Sequence, residues 1–210
     1  MNEKIVYTDI LKTAWKGLIS QIWLLAGLLI GFTIIYSLLL LFAIPAKGEP
    51  VSISGFIVLC ICLLLAGLFF MGYLRNCMQT LDREEPQFSA YGHVAIKLLS
   101  FLAGYIVFTV IVSIGFSLLL FPGVYLWLRF QFFFASMVDE DFRVIASFKR
   151  SWTITKGHTL QLFVLMLFHI LIFLIGTIVL GAGIFVAVPL ITLMYGYIFR
   201  KLTAPETVNN

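Results

Sequence analysis

Three uncharged and predominantly apolar runs, Ile22 to Ile44, Ile53 to Leu74 and Thr159 to Leu180, restrict this chain more than any other feature. A helix advances about 1.5 Å per residue, so about 20 apolar residues cross a hydrocarbon core about 30 Å thick. Each run meets that length. Charge is scarce elsewhere too: 11% of residues are Asp, Glu, Lys or Arg and 61% are hydrophobic, with a mean hydropathy of +1.06. So few charges cannot cover a soluble surface, and lipid is the expected solvent.

The net charge of +4 raises the question of nucleic acid. That reading needs a basic face on a soluble domain, and no soluble stretch here is long enough to form one, so no nucleic-acid partner is expected. Lysines precede the first run, as in a secretory signal. The run is longer than such a signal uses, and Ala43-Ile44-Pro45-Ala46 makes a poor cleavage site, so it is expected to remain as a span.

Residues 98–138 carry one charge, Arg129, and are long enough for two crossings. A division at about Leu118 puts Pro122 in the first turn of a fourth span, where its missing N–H has no helical partner to lose. A sixth span, Gly183 to Phe199, follows the fifth through Gly181-Ala182-Gly183 and carries Pro189 at a comparable distance into its helix. The first two spans are separated by Pro45-Ala46-Lys47-Gly48-Glu49-Pro50. The expected fold is all-α, a polytopic membrane protein with six transmembrane helices arranged as three hairpins, each preceded by an amphipathic cytoplasmic helix. The hairpin units are 8–75, 88–138 and 142–201 of a single membrane domain, with a short polar tail over 202–210. The outer turns of the second and third hairpins lack polar residues, so they are expected to be short, glycine-rich and nearly buried.

Orientation follows from Lys and Arg in short loops, because cytoplasmic loops retain the excess. Lys4, Lys12 and Lys16, then Arg75, Arg83 and Lys97, then Arg143, Lys149, Arg150 and Lys156, and finally Arg200 and Lys201 fall on one side; Lys47 alone falls on the other. Both termini are therefore expected in the cytoplasm.

The segments ahead of spans one, three and five resemble one another. Leu11-Lys12-Thr13-Ala14-Trp15-Lys16-Gly17 and Phe148-Lys149-Arg150-Ser151-Trp152-Thr153-Ile154-Thr155-Lys156-Gly157 both set a Trp among cations, and Phe88-Ser89-Ala90-Tyr91-Gly92-His93 substitutes Tyr. In the third copy Asp139-Glu140-Asp141 is expected to cap the helix and complement its N-terminus, while Lys156 and Gly157 suit the other end. Val144, Ile145, Phe148 and Trp152 share a face that would sit at headgroup level, with the cations meeting anionic lipid. Gly72-Tyr73-Leu74-Arg75 and Gly196-Tyr197-Ile198-Phe199-Arg200 close the first and third hairpins alike.

Arg129 is the sharpest single feature. A cation near a helix centre costs about 2.5–3.5 kcal/mol on insertion scales and should face protein or water. No Asp or Glu lies in a span, which leaves Tyr side chains, free carbonyls or a lipid phosphate as partners. The favoured expectation is snorkelling toward the outer interface near Pro122-Gly123; the alternative is an anion or headgroup contact inside the bundle. His169 stands alone in span five and is expected to be neutral and bonded across helices. The cluster Phe130, Phe132, Phe133 and Phe134 reads as lipid-facing or packing surface. Cys60, Cys62 and Cys77 have no His or carboxylate at metal spacing and read as packing residues. No catalytic residue, cofactor or metal is expected, since paired intramembrane carboxylates and the HExxH, GxSxG and GxxxxGK[ST] motifs are all missing.

Phe121-Pro122-Gly123-Val124-Tyr125-Leu126-Trp127-Leu128-Arg129-Phe130, then Val138-Asp139-Glu140, then Ala146 to Gly157 with its Ser151-Trp152 and Thr155-Lys156-Gly157, resemble a bacterial six-span group. That group includes the YciC-like proteins and the membrane domain attached to some glycerophosphodiester phosphodiesterases. The resemblance covers residues 98 to 200 and implies a six-helix module of the bacterial inner membrane. No soluble catalytic domain is read in these residues, so the hydrolase activity is not expected to carry over.

The functional expectation is a non-enzymatic membrane module whose interfacial helices meet lipids or a membrane-protein partner, in an oligomeric state the residues leave open. Its candidate lipid or anion contacts are Arg129, Lys149, Arg150, Trp152, Lys12, Trp15 and Lys16. The alternative is a transporter or channel component for an anionic or amphiphilic solute, with Pro122, Pro189 and the glycines breaking helices at its site.

Overall fold

The computed structural model describes residues 6–45, 52–178 and 183–204. Among the described residues every regular element is a helix: α1 (Tyr7–Ala43), α2 (Ile53–Leu81), α3 (Ser89–Ala95), α4 (Leu98–Leu118), α5 (Leu120–Phe130), α6 (Phe133–Val138), α7 (Val144–Ile154), α8 (Thr159–Ile178) and α9 (Ile184–Thr203). Five of them, α1, α2, α4, α8 and α9, are long and apolar enough to cross a membrane. The chain is an all-α, multi-pass membrane protein.

Local chemistry explains where the helices begin and bend. α1 kinks at Gln21, whose φ of −132° and ψ of 22° leave the helical region. The kink divides the Lys12-Trp15-Lys16 segment from the apolar run that starts at Ile22. α2 opens on Ser52, whose Oγ accepts from the Gly55 N–H at 3.1 Å, as an N-cap should. It runs past the expected end at Leu74 to Leu81 because its last two turns are enclosed: Asn76, Cys77, Met78 and Thr80 are all buried.

α4 ends at Leu118, where the apolar stretch was divided, and a single extended residue, Leu119, connects it to α5. Pro122 stands in the first turn of α5, as anticipated. The connection is short because two glycines let the helices touch. A Cβ on Gly115 would stand 2.9 Å from the Gly123 Cα, and one on Gly123 would stand 2.5 Å from the Phe116 ring. The outer turn is not buried, however. Leu118, Leu119, Leu120 and Phe121 all project outward, Phe121 with 85% of its surface open. An apolar tip of this kind needs lipid rather than protein around it.

The fourth expected span is not one helix. It breaks at Gln131 and Phe132, leaving α5 and the short α6. Pro189 also departs from expectation, lying inside α9 beyond its first turn, and α9 reaches Thr203 instead of ending at Phe199. The expected turns at 46–50 and at Gly181-Ala182, the last two residues of the fifth run and most of the tail over 202–210 lie outside the described residues.

The core forms where α1, α2 and α9 pack together with the α5–α6 break wedged against them. Leu18, Leu25, Met71, Met78, Phe132, Phe133, Leu193 and Phe199 are fully enclosed. Phe132 stacks on Tyr195 at 5.0 Å and Phe133 on Phe148 at 4.5 Å, so this part of the phenylalanine cluster is core. His169 Nε2 has no hydrogen-bond partner among the described residues, so the cross-helix bond expected of it is not formed. α3 packs on α2 through Tyr91, whose ring lies against Gly72. Burial, with the Cys77 thiol nearby, pushes the Tyr91 pKa up to about 12, which keeps the phenol neutral.

A Cβ on Gly72 would sit 2.2 Å from the Tyr91 ring, whereas one on Gly27 meets nothing within 4 Å. Gly72→Ala is therefore expected to destabilise the protein by about 1–3 kcal/mol through overpacking, while Gly27→Ala is neutral or slightly stabilising. Thermal unfolding of the two variants in the same detergent checks the difference.

Candidate functional site

A helix interrupted within an apolar bundle frees backbone groups that must find partners. In an unbroken helix the Phe132 N–H would donate to the Leu128 carbonyl and the Phe133 N–H to the Arg129 carbonyl. Here α7 supplies the replacements. Ser151 Oγ donates to the Arg129 carbonyl at 2.8 Å and accepts from the Phe132 N–H at 3.2 Å. Thr155 Oγ1 reaches the same carbonyl at 3.2 Å. Gln131 Nε2 donates to the Leu128 carbonyl at 3.1 Å, and the Tyr195 hydroxyl donates to the Gln131 carbonyl at 2.7 Å. Ser151 and Thr155 are spaced by four, so one face of α7 carries both hydroxyls.

This docking decides which face of α7 is enclosed. Its buried residues are Ser147, Ser151 and Ile154, with Thr155 just beyond its end also buried, while Ile145 and Trp152 face outward. Of the face predicted to be apolar, Phe148 turns inward onto Phe130 and Phe133. Gly157 takes a φ of 86°, the left-handed conformation expected after the helix.

The break positions Arg129. The side chain is 3% exposed, and its guanidinium carbon lies 4.0 Å from the centre of the Trp152 ring and 5.9 Å from that of Tyr125. Snorkelling toward Pro122-Gly123 is thus overturned: Pro122 and Gly123 are in the first turn of α5, whereas Arg129 is in its last turn and covered by α7. Trp152 is held over it by Phe130 at 5.2 Å and by an edge-on contact with Tyr125 at 6.2 Å. Cation–π contacts contribute about 0.5–2 kcal/mol. Arg129 Nε is enclosed with no partner among the described residues.

The acidic residues between α6 and α7 are committed to other cations. Asp139 Oδ1 accepts from Arg75 Nη1 at 2.9 Å and from Arg200 Nη2 at 3.0 Å. Glu140 takes Arg150 in a forked pair, with contacts from 2.7 to 3.2 Å, and Asp141 pairs with Lys97. Arg200 also pairs with Asp82. The acidic triplet therefore ties α2, α4, α7 and α9 to the end of α6. It does not cap α7, whose N-cap residue, Arg143, makes no side-chain cap bond.

Of the residues proposed from sequence, Arg129 and Trp152 meet directly. Arg150 pairs with Glu140. Lys149 is exposed one turn before Trp152, and Lys12, Trp15 and Lys16 are exposed on α1. Sequence reasoning gave no role to Ser151, Thr155 and Tyr195, and took Asp139 for part of a helix cap. The paired Gly-Tyr-…-Arg endings did carry a signal for the last of these, since their arginines, Arg75 and Arg200, converge on it.

Ser151→Ala is expected to cost about 1–3 kcal/mol, since it strands buried backbone groups, whereas the exposed Thr153→Ala stays within about 0.5 kcal/mol. Asp139, with a side chain 14% exposed, serves two arginines, while Asp141 is 75% exposed and has a φ of 59°, which Asn tolerates. Asp139→Asn should therefore lower stability by about 1.5–3 kcal/mol, and Asp141→Asn should change little. Unfolding midpoints of these variants in detergent give both comparisons.

No curated protein and no solved structure matches the chain. Residues 86–209, which take in α3 to α9, match the family described as domain of unknown function DUF7847. With that match running over more than half its length, the chain belongs to the DUF7847 family.

Proposed function

We propose that this chain is a non-enzymatic integral membrane module of the bacterial inner membrane, crossing six times with both termini in the cytoplasm, that engages membrane lipids or a membrane-protein partner through its interfacial helices. The observation that carries the reading is the uneven pairing of charge at one end of the bundle. Asp82, Asp139, Glu140 and Asp141 neutralise Arg75, Lys97, Arg150 and Arg200. Lys149 and Lys156 on either side of Trp152, and Lys12 and Lys16 around Trp15, remain exposed, with no ion pair among the described residues. Basic and aromatic side chains arranged this way suit the anionic headgroup region, where each cation contributes about 1 kcal/mol.

The crossing number has its own support. Lys97 immediately precedes α4 and Asp141 follows α6, and the two are paired. A chain that leaves and returns to one level between those residues passes out through α4 and back through α5 and α6 together. The likeness to the six-span YciC-like group agrees with this path.

The broken helix beside a buried cation is the observation that favours the second reading, a transporter or channel component for an anionic or amphiphilic solute. Ser151, Thr155, Gln131 and Tyr195 already occupy the freed backbone groups, however. That leaves a solute little backbone to bind, and the first reading stands ahead.

Alkaline phosphatase fused after Asn210 is expected to be inactive, and a fluorescent protein fused there to be bright. The reverse pattern removes the six-crossing topology. Affinity purification of the full chain from native membranes is expected to retain a particular lipid class or a membrane protein, and recovery of neither counts against the functional reading. Flux of an anionic solute in proteoliposomes that falls with Arg129→Ala would move the second reading ahead of the first.

A further inference from the structure

Arg129 is buried, charged and short of acceptors. A guanidinium has five N–H donors and cannot shed its charge. Trp152 covers one face of it, but a π face satisfies none of the in-plane donors. Nε has no partner among the described residues. The carboxylates that α7 and its flanking loop bring near are held by Arg75, Lys97, Arg150 and Arg200. The Arg129 carbonyl is itself taken by Ser151 and Thr155. Among the described residues, then, no carboxylate pairs with this cation.

The surroundings specify what kind of anion fits. Thr155 fixes the Arg129 backbone level with the α7–α8 connection, so the side chain lies near the bundle end that carries Lys149 and Lys156, not deep between spans. Both lysines are exposed, and the aromatic wall of Tyr125, Phe130 and Trp152 lines the apolar side. Phosphate oxygens match the planar fork of a guanidinium in a bidentate geometry, and an aromatic wall beside them suits a phosphate that carries an apolar body. We propose that Arg129, screened by Trp152 and flanked by Lys149 and Lys156, is a binding site for a phosphate group, the headgroup phosphate of an anionic phospholipid or a free phosphate. This rests on the lipid-engaging role proposed above and names the group recognised.

The test is native mass spectrometry of the full chain in a neutral detergent, titrated separately with phosphatidylglycerol, diacylglycerol and inorganic phosphate. Phosphatidylglycerol is expected to bind and diacylglycerol not to, and Arg129→Gln should weaken phosphatidylglycerol binding about tenfold or more, as loss of a charge-assisted contact does. Displacement of the phospholipid by excess inorganic phosphate assigns the site to free phosphate; retention assigns it to the lipid. Trp152→Phe keeps an aromatic cover with a weaker cation contact and should weaken binding about threefold, so the site is still tested if Arg129→Gln fails to fold.

If folded Arg129→Gln and Trp152→Phe bind phosphatidylglycerol and phosphate as the native chain does, the site is overturned. In that event, loss of binding when Lys12, Lys16, Lys149 and Lys156 are all changed to Gln leaves the broader lipid-engaging role standing. Unchanged binding in that variant as well removes lipid engagement through these helices too.

Discussion

Breaking a helix inside an apolar bundle strands hydrogen-bonding groups that packing hides from water, and much of this structure follows from how one such break is repaired. The repair comes from α7, which brings Ser151 and Thr155 to the carbonyl of Arg129 and Ser151 to the N–H of Phe132. Once α7 is committed to that position, Trp152 has to lie over Arg129 and Phe148 has to fill the space beside Phe133. Arg150 is likewise brought to Glu140. A helix that by composition belongs on the membrane surface is thus drawn into the bundle by two hydroxyls, and keeps only part of its length for the interface.

The second organising interaction is electrostatic. Asp139, at the end of α6, receives arginines from α2 and α9. These come from parts of the chain far apart in sequence. Their value here lies in registration. A carboxylate with little exposure and two guanidinium partners sets the heights of three helices relative to one another, something apolar packing against lipid does poorly because lipid and leucine are alike in polarity.

Those features that depend on length and polarity were readable in advance. The end of α4 at Leu118, the place of Pro122 in the first turn of α5 and the left-handed Gly157 all follow from local rules. The break at Gln131 did not show itself, because its neighbours Phe130, Phe132, Phe133 and Phe134 are apolar and no glycine or proline ends a helix there. The partners that make it tolerable, Ser151 and Tyr195, lie 22 and 64 residues from the carbonyls they serve. The fate of Arg129 was hidden for the same reason. Whether it snorkels or stacks depends on which face α7 presents, and that is decided by Ser151 and Thr155, not by the apolar face that periodicity picks out.

The contact of Gly115 with Gly123 and the single-residue turn at Leu119 bear on how the protein enters the membrane. α5 alone has 11 helical residues, about half the length that spans a hydrocarbon core. Its apolar tip gives no polar anchor to hold a free end at the far surface. α5 therefore partitions together with α4, zipped to it at the glycines, and the translocation machinery has to release the two as one wedge.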